Sequence, residues 1–228
     1  GCGMDVIITD HHECAEQLPP AVAVINPKRE DHTYPFDALA GVGVAFKLIC
    51  ALAGPQQLGE VIRNYLEIVC IGTIADVMPL TGENKIIVSH GLHMLGKSRY
   101  PGVRALLYKL GIKDQPVSSG TIGYMMAPRI NAAGRVSSPM RAVDLFLATE
   151  RRQAEEIVEQ LFEYNRRRQE MENQILAQAG ALIKADADFA DKRIIVLAGE
   201  SWHQGVIGIV ASRLSEEFHL PTIMICCD

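Results

Sequence analysis

The sequence lacks any apolar run close to the about 18–20 residues that a membrane-spanning helix needs. Its first thirty residues show no signal-peptide pattern. The six cysteines show no C-x-x-C spacing, which disfavours a zinc site or a disulfide framework and indicates free thiols in a reducing cytoplasm. Internal repeats and low-complexity segments are also missing. These absences exclude membrane, fibrous and disordered classes and predict a cytoplasmic globular protein.

The chain also lacks a positive net charge, since 22 Lys and Arg stand against 27 Asp and Glu. This balance disfavours a protein that coats nucleic acid non-specifically. The charge is uneven, because residues 129–168 carry eight arginines and six acids while residues 1–50 are acidic. Such a distribution suits a site that holds cations in one place and phosphates in another. The alternative is that these charged residues simply lie on helix faces exposed to solvent.

What is present is enough apolar material for a core: 48% of the 228 residues are hydrophobic, which predicts one large or two small domains. Residues 6–9 predict a buried parallel strand and residues 21–25 a second strand. Apolar spacing then predicts helices between residues 41 and 111. Overall the pattern predicts an α/β protein with a helical subregion.

The second half begins with an uninterrupted helical pattern over residues 150–185. A helix of that length would be roughly 54 Å long, which suggests a connector between two lobes. Residues 193–197, 206–217 and 222–226 then read as strand, helix and strand, a βαβ unit that ends the sequence.

Asp10, His11 and His12 follow the first predicted strand directly. Ligands of open α/β sheets gather at the carboxyl ends of strands, and imidazole with carboxylate suits Mn²⁺ and related divalent ions. Neighbouring residues point to opposite sides, so one histidine can bind metal while the other faces substrate. An Asp that caps the following helix is the alternative.

Three further places could carry chemistry. Asp76 follows an apolar helix and is predicted to be buried, where an acid needs a partner or a metal; backbone amides at a helix end could serve instead. Residues 129–135 hold Arg129, Asn131 and Arg135 among small residues, which predicts a phosphate-binding loop, with an ordinary turn as the alternative. His203 lies at the start of a predicted helix, where anions bind, although it could merely cap the loop.

Seven segments occur in a fixed order: Val-Ile-Ile-Thr-Asp-His-His (6–12), Leu-Pro-Pro-Ala…Asn-Pro (18–27), Ala-Gly-Val-Gly-Val-Ala-Phe-Lys-Leu (40–48), Gly-Thr-Ile-Ala-Asp-Val-Met-Pro-Leu (72–80), Pro-Arg-Ile-Asn-Ala-Ala-Gly-Arg (128–135), Asn-Arg-Arg-Arg-Gln-Glu (165–170) and Trp-His-Gln-Gly-Val-Ile-Gly-Ile-Val-Ala-Ser-Arg-Leu (202–214). In this order they resemble the bacterial RecJ family, single-stranded-DNA-specific 5′→3′ exonucleases of the DHH phosphoesterase superfamily. The resemblance covers essentially the whole chain.

The resemblance implies a partial parallel-sheet DHH phosphoesterase domain at residues 1–149 that lacks its first strands. A connector helix at 150–186 and the N-terminal part of a DHH-associated domain at 187–228 would follow. It also implies hydrolysis of DNA phosphodiesters in repair and recombination, with two ions of Mn²⁺ or Mg²⁺. Single-stranded DNA would be the main partner, with a single-strand-binding protein and a helicase beside it and no membrane.

The site residues follow from the same resemblance. His11 and Asp76 are implied metal ligands, and Asp10 would orient a histidine or approach the metal. His12 would donate to the scissile phosphate. The residues expected to hold the DNA strand are His12, Arg129, Asn131, Arg135 and His203. Single-strand specificity would come from a narrow passage with backbone contacts and base stacking, although a single Trp gives little support for stacking.

The sequence departs from the family pattern at both ends. Two acidic motifs expected before Asp10 are not in the sequence, nor is a phosphate-binding loop expected after the second strand of the last lobe. We therefore expect the 228-residue chain alone to be inactive and the intact protein to be active. Two alternatives stay open: a DHH phosphoesterase that acts on oligonucleotides, cyclic dinucleotides or pyrophosphate, and a non-catalytic scaffold on the same fold.

Overall fold

The computed structural model describes residues 3–112 and 115–227. The chain divides into two compact units, Gly1–Ala127 and Pro128–Asp228. Each unit contains a two-stranded parallel sheet together with several helices, so the predicted α/β class is confirmed. The domain boundaries predicted at residues 149 and 186 stay predictions. Within the described ranges, no helix combines the length and apolarity that crossing a membrane requires.

The sheet of the first unit pairs β1 (Ile7–Thr9) with β2 (Ala23–Ile25), with Ile8 opposite Val24. Both strands were predicted, but the expected burial of β1 is wrong. Ile7 is 59% exposed and Val6 46% exposed, because within the described residues β1 pairs along one edge only. The strand still brings residue 10 to the carboxyl edge of the sheet, where Asp10 N donates to Ile25 O over 3.0 Å.

The helices of the first unit are α1 (Gly41–Ala75), α2 (Gly82–Leu95) and α3 (Pro101–Lys109), followed by one π-helical turn at Thr121–Met126. Helix α1 is kinked at Gly54, which has a φ of 72° and precedes Pro55. The kink occurs here because proline has no N–H and cannot continue the helical hydrogen bonds. A buried cluster packs the two parts of α1, on either side of the kink, against α2 and the loop before α1; its members are Leu39, Val44, Phe46, Val61, Leu66, Val69 and Ile87.

The second unit contains α4 (Ala127–Val136), α5 (Met140–Leu147), α6 (Arg151–Ala185) and a single 3₁₀ turn at Phe189–Asp191. The unit ends in β3 (Ile195–Glu200), α7 (Gln204–Phe218) and β4 (Thr222–Cys227). The predicted long helix is confirmed as α6, and the predicted βαβ unit is confirmed by the parallel register of Ile195 with Thr222. One core joins α6, β3 and α7 through Ile175, Ala179, Ile183, Ile195, Trp202, Val206, Val210 and Leu214.

The cysteines of the described residues are free thiols, at positions Cys14, Cys50, Cys70, Cys226 and Cys227. Cys2 lies outside the described residues. The predicted absence of disulfides therefore holds for the part of the chain that the structure describes. Burial raises the pKa of the Cys70 thiol to about 12, so this group stays an uncharged core residue.

Candidate active site

The Asp10-His11-His12 turn is organised by the Asp10 carboxylate. Asp10 Oδ1 accepts the backbone N–H of His11 over 2.8 Å and that of His12 over 3.3 Å. The same oxygen lies 2.8 Å from Nδ1 of the His12 ring. The hydrogen bond from His12 is the main cause of an Asp10 pKa below its usual value. An ionised carboxylate only accepts, so His12 Nδ1 donates and His12 Nε2 is left on an exposed ring.

His11 is less exposed than His12. Its Nε2 lies 3.4 Å from Asp76 Oδ2, and its side chain is only 15% exposed. Gly41 at the start of α1 packs on the ring, since a Cβ there would be 3.3 Å from His11 Cδ2. The structure thus brings together two predicted residues that are 65 positions apart in the sequence. The expectation that the two histidines point to opposite sides is wrong, because their ring centres lie only 4.3 Å apart.

Asp76 is not buried as predicted, because its side chain is 46% exposed. It is the C-cap of α1, which ends in a Schellman turn: Val77 N donates to Ile74 O and Met78 N donates to Thr73 O. A carboxylate at a helix C-terminus lies at the negative end of the helix dipole, which disfavours the anion and favours a nearby cation. Asp76 therefore lies where a bound cation would be electrostatically favoured.

Val77 holds the left-handed position of this turn, with φ of 55°. Glycine usually takes this position, because a side chain costs about 1–2 kcal/mol there. A β-branched residue at positive φ is rarer still. Backbone strain of this kind is concentrated at functional sites.

The donor set fits a divalent cation. Asp10, His11 and His12 each place one ligand atom within 4.8 Å of the other two. Two neighbouring ligands, each about 2.1 Å from one Mn²⁺ or Mg²⁺, lie about 3.0–3.4 Å apart. The 3.4 Å separation of His11 Nε2 and Asp76 Oδ2 agrees with that spacing. Imidazole nitrogen and carboxylate oxygen together suit Mn²⁺ well.

Asn26 is a site residue that the sequence reasoning missed. Its side chain is buried at the end of β2 and donates from Nδ2 to His12 O over 2.9 Å. Its Oδ1 accepts from Lys28 N over 2.9 Å. An amide that follows the second of two parallel strands lies at the same sheet edge as residues that follow the first. The position of Asn26 directly after the second predicted strand is therefore the sequence signal that could have identified it as a site residue.

The arginine segment of the second unit is a helix, and the predicted loop is wrong. Residues 129–135 lie inside α4, where Asn131 and Arg135, four positions apart, share an exposed face. Arg129 lies on a different side, with its guanidinium 4.5 Å from the centre of the Phe162 ring. Burial lowers the pKa of Arg129. The small residues of the segment serve helix packing, since Ala132 and Ala133 are fully buried.

Arg135 and His203 meet at Gly205. Arg135 Nη1 donates to Gly205 O over 3.1 Å, and Gly205 N donates to His203 Nδ1 over 3.1 Å. His203 is the N-cap of α7. Because its Nδ1 accepts a hydrogen bond, a neutral His203 carries its proton on Nε2 and can donate from there. Gly205 must be glycine here, since a Cβ would lie 2.3 Å from Arg135 O.

A cavity of about 820 Å³ lies beside His203, at the carboxyl ends of β3 and β4. Glu200, Gln178 and Cys226 line it with His203. Trp202 also borders the cavity but is 3% exposed, and its Nε1 donates to Gln178 Oε1 over 2.6 Å. The indole is thus a core group, which removes the only tryptophan as an open stacking platform.

Comparison with known proteins shows which families this chain resembles. The DHH family, N-terminal domain, matches residues 1–73. The single-stranded-DNA-specific exonuclease RecJ of Bacillus subtilis is 39% identical over 99% of this chain, which spans 28% of that protein. The chain thus covers well under two thirds of the curated relatives it matches.

Solved structures agree. The structure of Thermus thermophilus RecJ with Mn²⁺ superposes with a TM-score of 0.84 at 33% identity, over 99% of this chain and 33% of that one. The same protein solved with Mg²⁺ gives a TM-score of 0.80. The chain is therefore similar to the DHH family, N-terminal domain, over residues 1–73 and to RecJ along nearly its whole length.

Proposed function

We propose that the chain is part of a metal-dependent 5′→3′ exonuclease that hydrolyses phosphodiester bonds of single-stranded DNA. The observation that carries the proposal is the approach of His11 Nε2 to Asp76 Oδ2 at 3.4 Å, beside the Asp10-His12 pair. RecJ relatives carry this substrate in their names, and RecJ of T. thermophilus has been solved with Mn²⁺ and with Mg²⁺. These likenesses support a Mn²⁺ or Mg²⁺ site in this chain.

His11 and Asp76 would hold the metal, and Asp10 would orient His12. Two such ions, when bound, supply a hydroxide nucleophile at neutral pH and neutralise charge on the phosphate. His12 is held by Asp10 through Nδ1 and has an exposed ring. In its protonated form, His12 would donate a hydrogen bond from Nε2–H to a phosphate oxygen. Asp10 is a positioning residue here, because its Oδ1 is occupied by the turn itself.

The second unit would bind the DNA backbone. Arg135 offers an exposed guanidinium and His203 an Nε2–H donor, both organised by Gly205. Asn131 lies on the same exposed face of α4 as Arg135. Arg129 is assigned to phosphate binding by the resemblance, and its guanidinium lies 4.5 Å from the centre of the Phe162 ring. Such contacts neutralise phosphates without reading bases.

The test is Asp76→Asn in the full-length protein. The substitution keeps the shape and removes the charged ligand, so Mn²⁺-dependent degradation of 5′-phosphorylated single-stranded DNA should fall by at least about 100-fold, because even groups one step from a metal contribute 10–100-fold. The matched control is Glu60→Gln, an exposed carboxylate on the same helix, which should degrade DNA at the wild-type rate.

Two results would contradict the proposal. Full activity in Asp76→Asn would remove Asp76 from the site. A wild-type protein that cleaves dinucleotides but leaves long single-stranded DNA intact would assign it to another kind of DHH phosphoesterase.

The wider role is proposed on the resemblance alone. The protein would act in DNA repair and recombination in the cytoplasm, with a single-strand-binding protein and a helicase supplying accessible single strands. A helicase that unwinds a blunt duplex should make its strand degradable by this protein, and omission of the helicase should leave the duplex intact.

A further inference from the structure

Val77 combines an unfavourable backbone conformation with an exposed apolar side chain. Its φ is 55°, and its side chain is 87% exposed, the largest exposed fraction among the large hydrophobic residues of the described chain. It follows Asp76 directly and is the left-handed residue of the turn that ends α1.

Contacts within the described protein do little to compensate for the strain at Val77. A valine at positive φ is strained, and burial of its methyl groups could offset that cost. At 87% exposure they are barely buried. The other non-glycine residues with positive φ in the described ranges are Ser201 and His219, which are polar, and histidine adopts this conformation more readily than valine. Glycine would satisfy the turn at Val77 without strain.

We infer that the Val77 side chain contacts the substrate, packing its isopropyl group against the sugar or base of the nucleotide bound beside Asp76. The inference rests on the proposed function and deepens it. The Schellman turn that positions the Asp76 carboxylate near His11 also projects the next side chain into solvent. In the complex with DNA, the methyl groups lose their water shell, and this contact offsets the strain.

The experiment is Val77→Gly in the full-length protein. Glycine removes both the strain and the apolar contact, so the two effects should have opposite signs. The melting temperature of the metal-free protein should rise by about 2–4 °C. KM for single-stranded DNA should rise about tenfold, because each buried methyl corresponds to about a fourfold change in affinity. The dissociation constant for Mn²⁺, measured by calorimetry without DNA, should stay within about twofold of wild type.

His219→Gly is the matched control. His219 is also exposed and also has positive φ, at the C-terminal end of α7. This variant should raise the melting temperature similarly and leave KM unchanged.

Three outcomes distinguish a failure of the Val77 inference from a failure of the proposed function. A lower melting temperature in Val77→Gly would show that protein atoms cover the side chain and would overturn the inference. A higher melting temperature with unchanged KM would also overturn it, while the proposed function stood. Wild-type protein that leaves single-stranded DNA intact contradicts the proposed function, and this inference with it.

Discussion

Each unit of the chain builds its candidate site at the carboxyl end of a short parallel strand pair, but the two sites suit ligands of opposite charge. After β1 come Asp10, His11 and His12, with Asp76 nearby from the end of α1. After β3 comes a loop that leads into the start of α7, with His203 as its cap and Arg135 close by.

The difference lies in which end of a helix supplies the second partner. In the first unit it is the C-terminus of α1, whose partial negative charge adds to that of Asp76 and favours a cation. In the second unit it is the N-terminus of α7, whose partial positive charge adds to Arg135 and favours a phosphate. We therefore propose that both candidate sites share their position at the carboxyl edge of a sheet, and that helix polarity and side-chain charge decide which ligand each would hold.

His11→Ala should have the largest effect on this comparison, because it removes the imidazole that approaches Asp76. We expect loss of Mn²⁺ binding by calorimetry and at least about a 100-fold fall in nuclease activity. Affinity for DNA phosphates in the second unit should change little. The control is His90→Ala, an exposed histidine on α2. Undiminished Mn²⁺ binding in His11→Ala would contradict the cation assignment of the first site.

Gly205→Ala should damage the second site only. The added Cβ would lie 2.3 Å from Arg135 O, so α4 and the start of α7 must separate and the Arg135 and His203 donors must move apart. We expect KM for single-stranded DNA to rise about 30-fold and the melting temperature to fall, as for an overpacked contact. Mn²⁺ affinity should stay at the wild-type value.

A second glycine of α7 provides the control. Gly208 is exposed, and a Cβ there meets no atom within 4 Å. Gly208→Ala should leave KM unchanged and stabilise the helix slightly. If Gly205→Ala also left KM unchanged, the close packing at Gly205 would have no part in DNA binding.

Much of this comparison could be predicted from local sequence patterns. Apolar spacing indicates α1 and α6, and the run from residue 193 to 226 indicates a βαβ unit. The pattern of polar residues after β1 points to Asp10, His11 and His12 without knowledge of packing. These features depend on residues close together in the chain, where periodicity and strand ends carry the information.

The predictions that were wrong concern features that depend on contacts between distant segments or on the backbone geometry of a turn. Asp76 was predicted to be buried because the preceding residues are apolar, but the Schellman turn at Val77 directs it outward. The segment from Arg129 to Arg135 is predicted as a phosphate-binding loop because it sets two arginines and an asparagine among small residues. In the structure these small residues serve helix packing instead, since Ala132 and Ala133 are buried within α4.

The smallest predicted effect separates the two roles of His203, as helix cap and as phosphate donor. Asn is a strong N-cap and supplies an oxygen that can replace Nδ1 as acceptor for Gly205 N, but it cannot reproduce the Nε2–H donor. His203→Asn should therefore keep the wild-type melting temperature and raise KM for single-stranded DNA about fivefold, the loss of one exposed hydrogen bond.

His203→Ala removes the cap as well, so its melting temperature should fall by about 2–4 °C in addition to the rise in KM. If His203→Asn kept both the melting temperature and KM of the wild type, His203 would act as a cap alone. The second site would then depend on Arg135 and on the amide groups at the start of α7, and its preference for phosphate would come from helix polarity with a single side-chain charge.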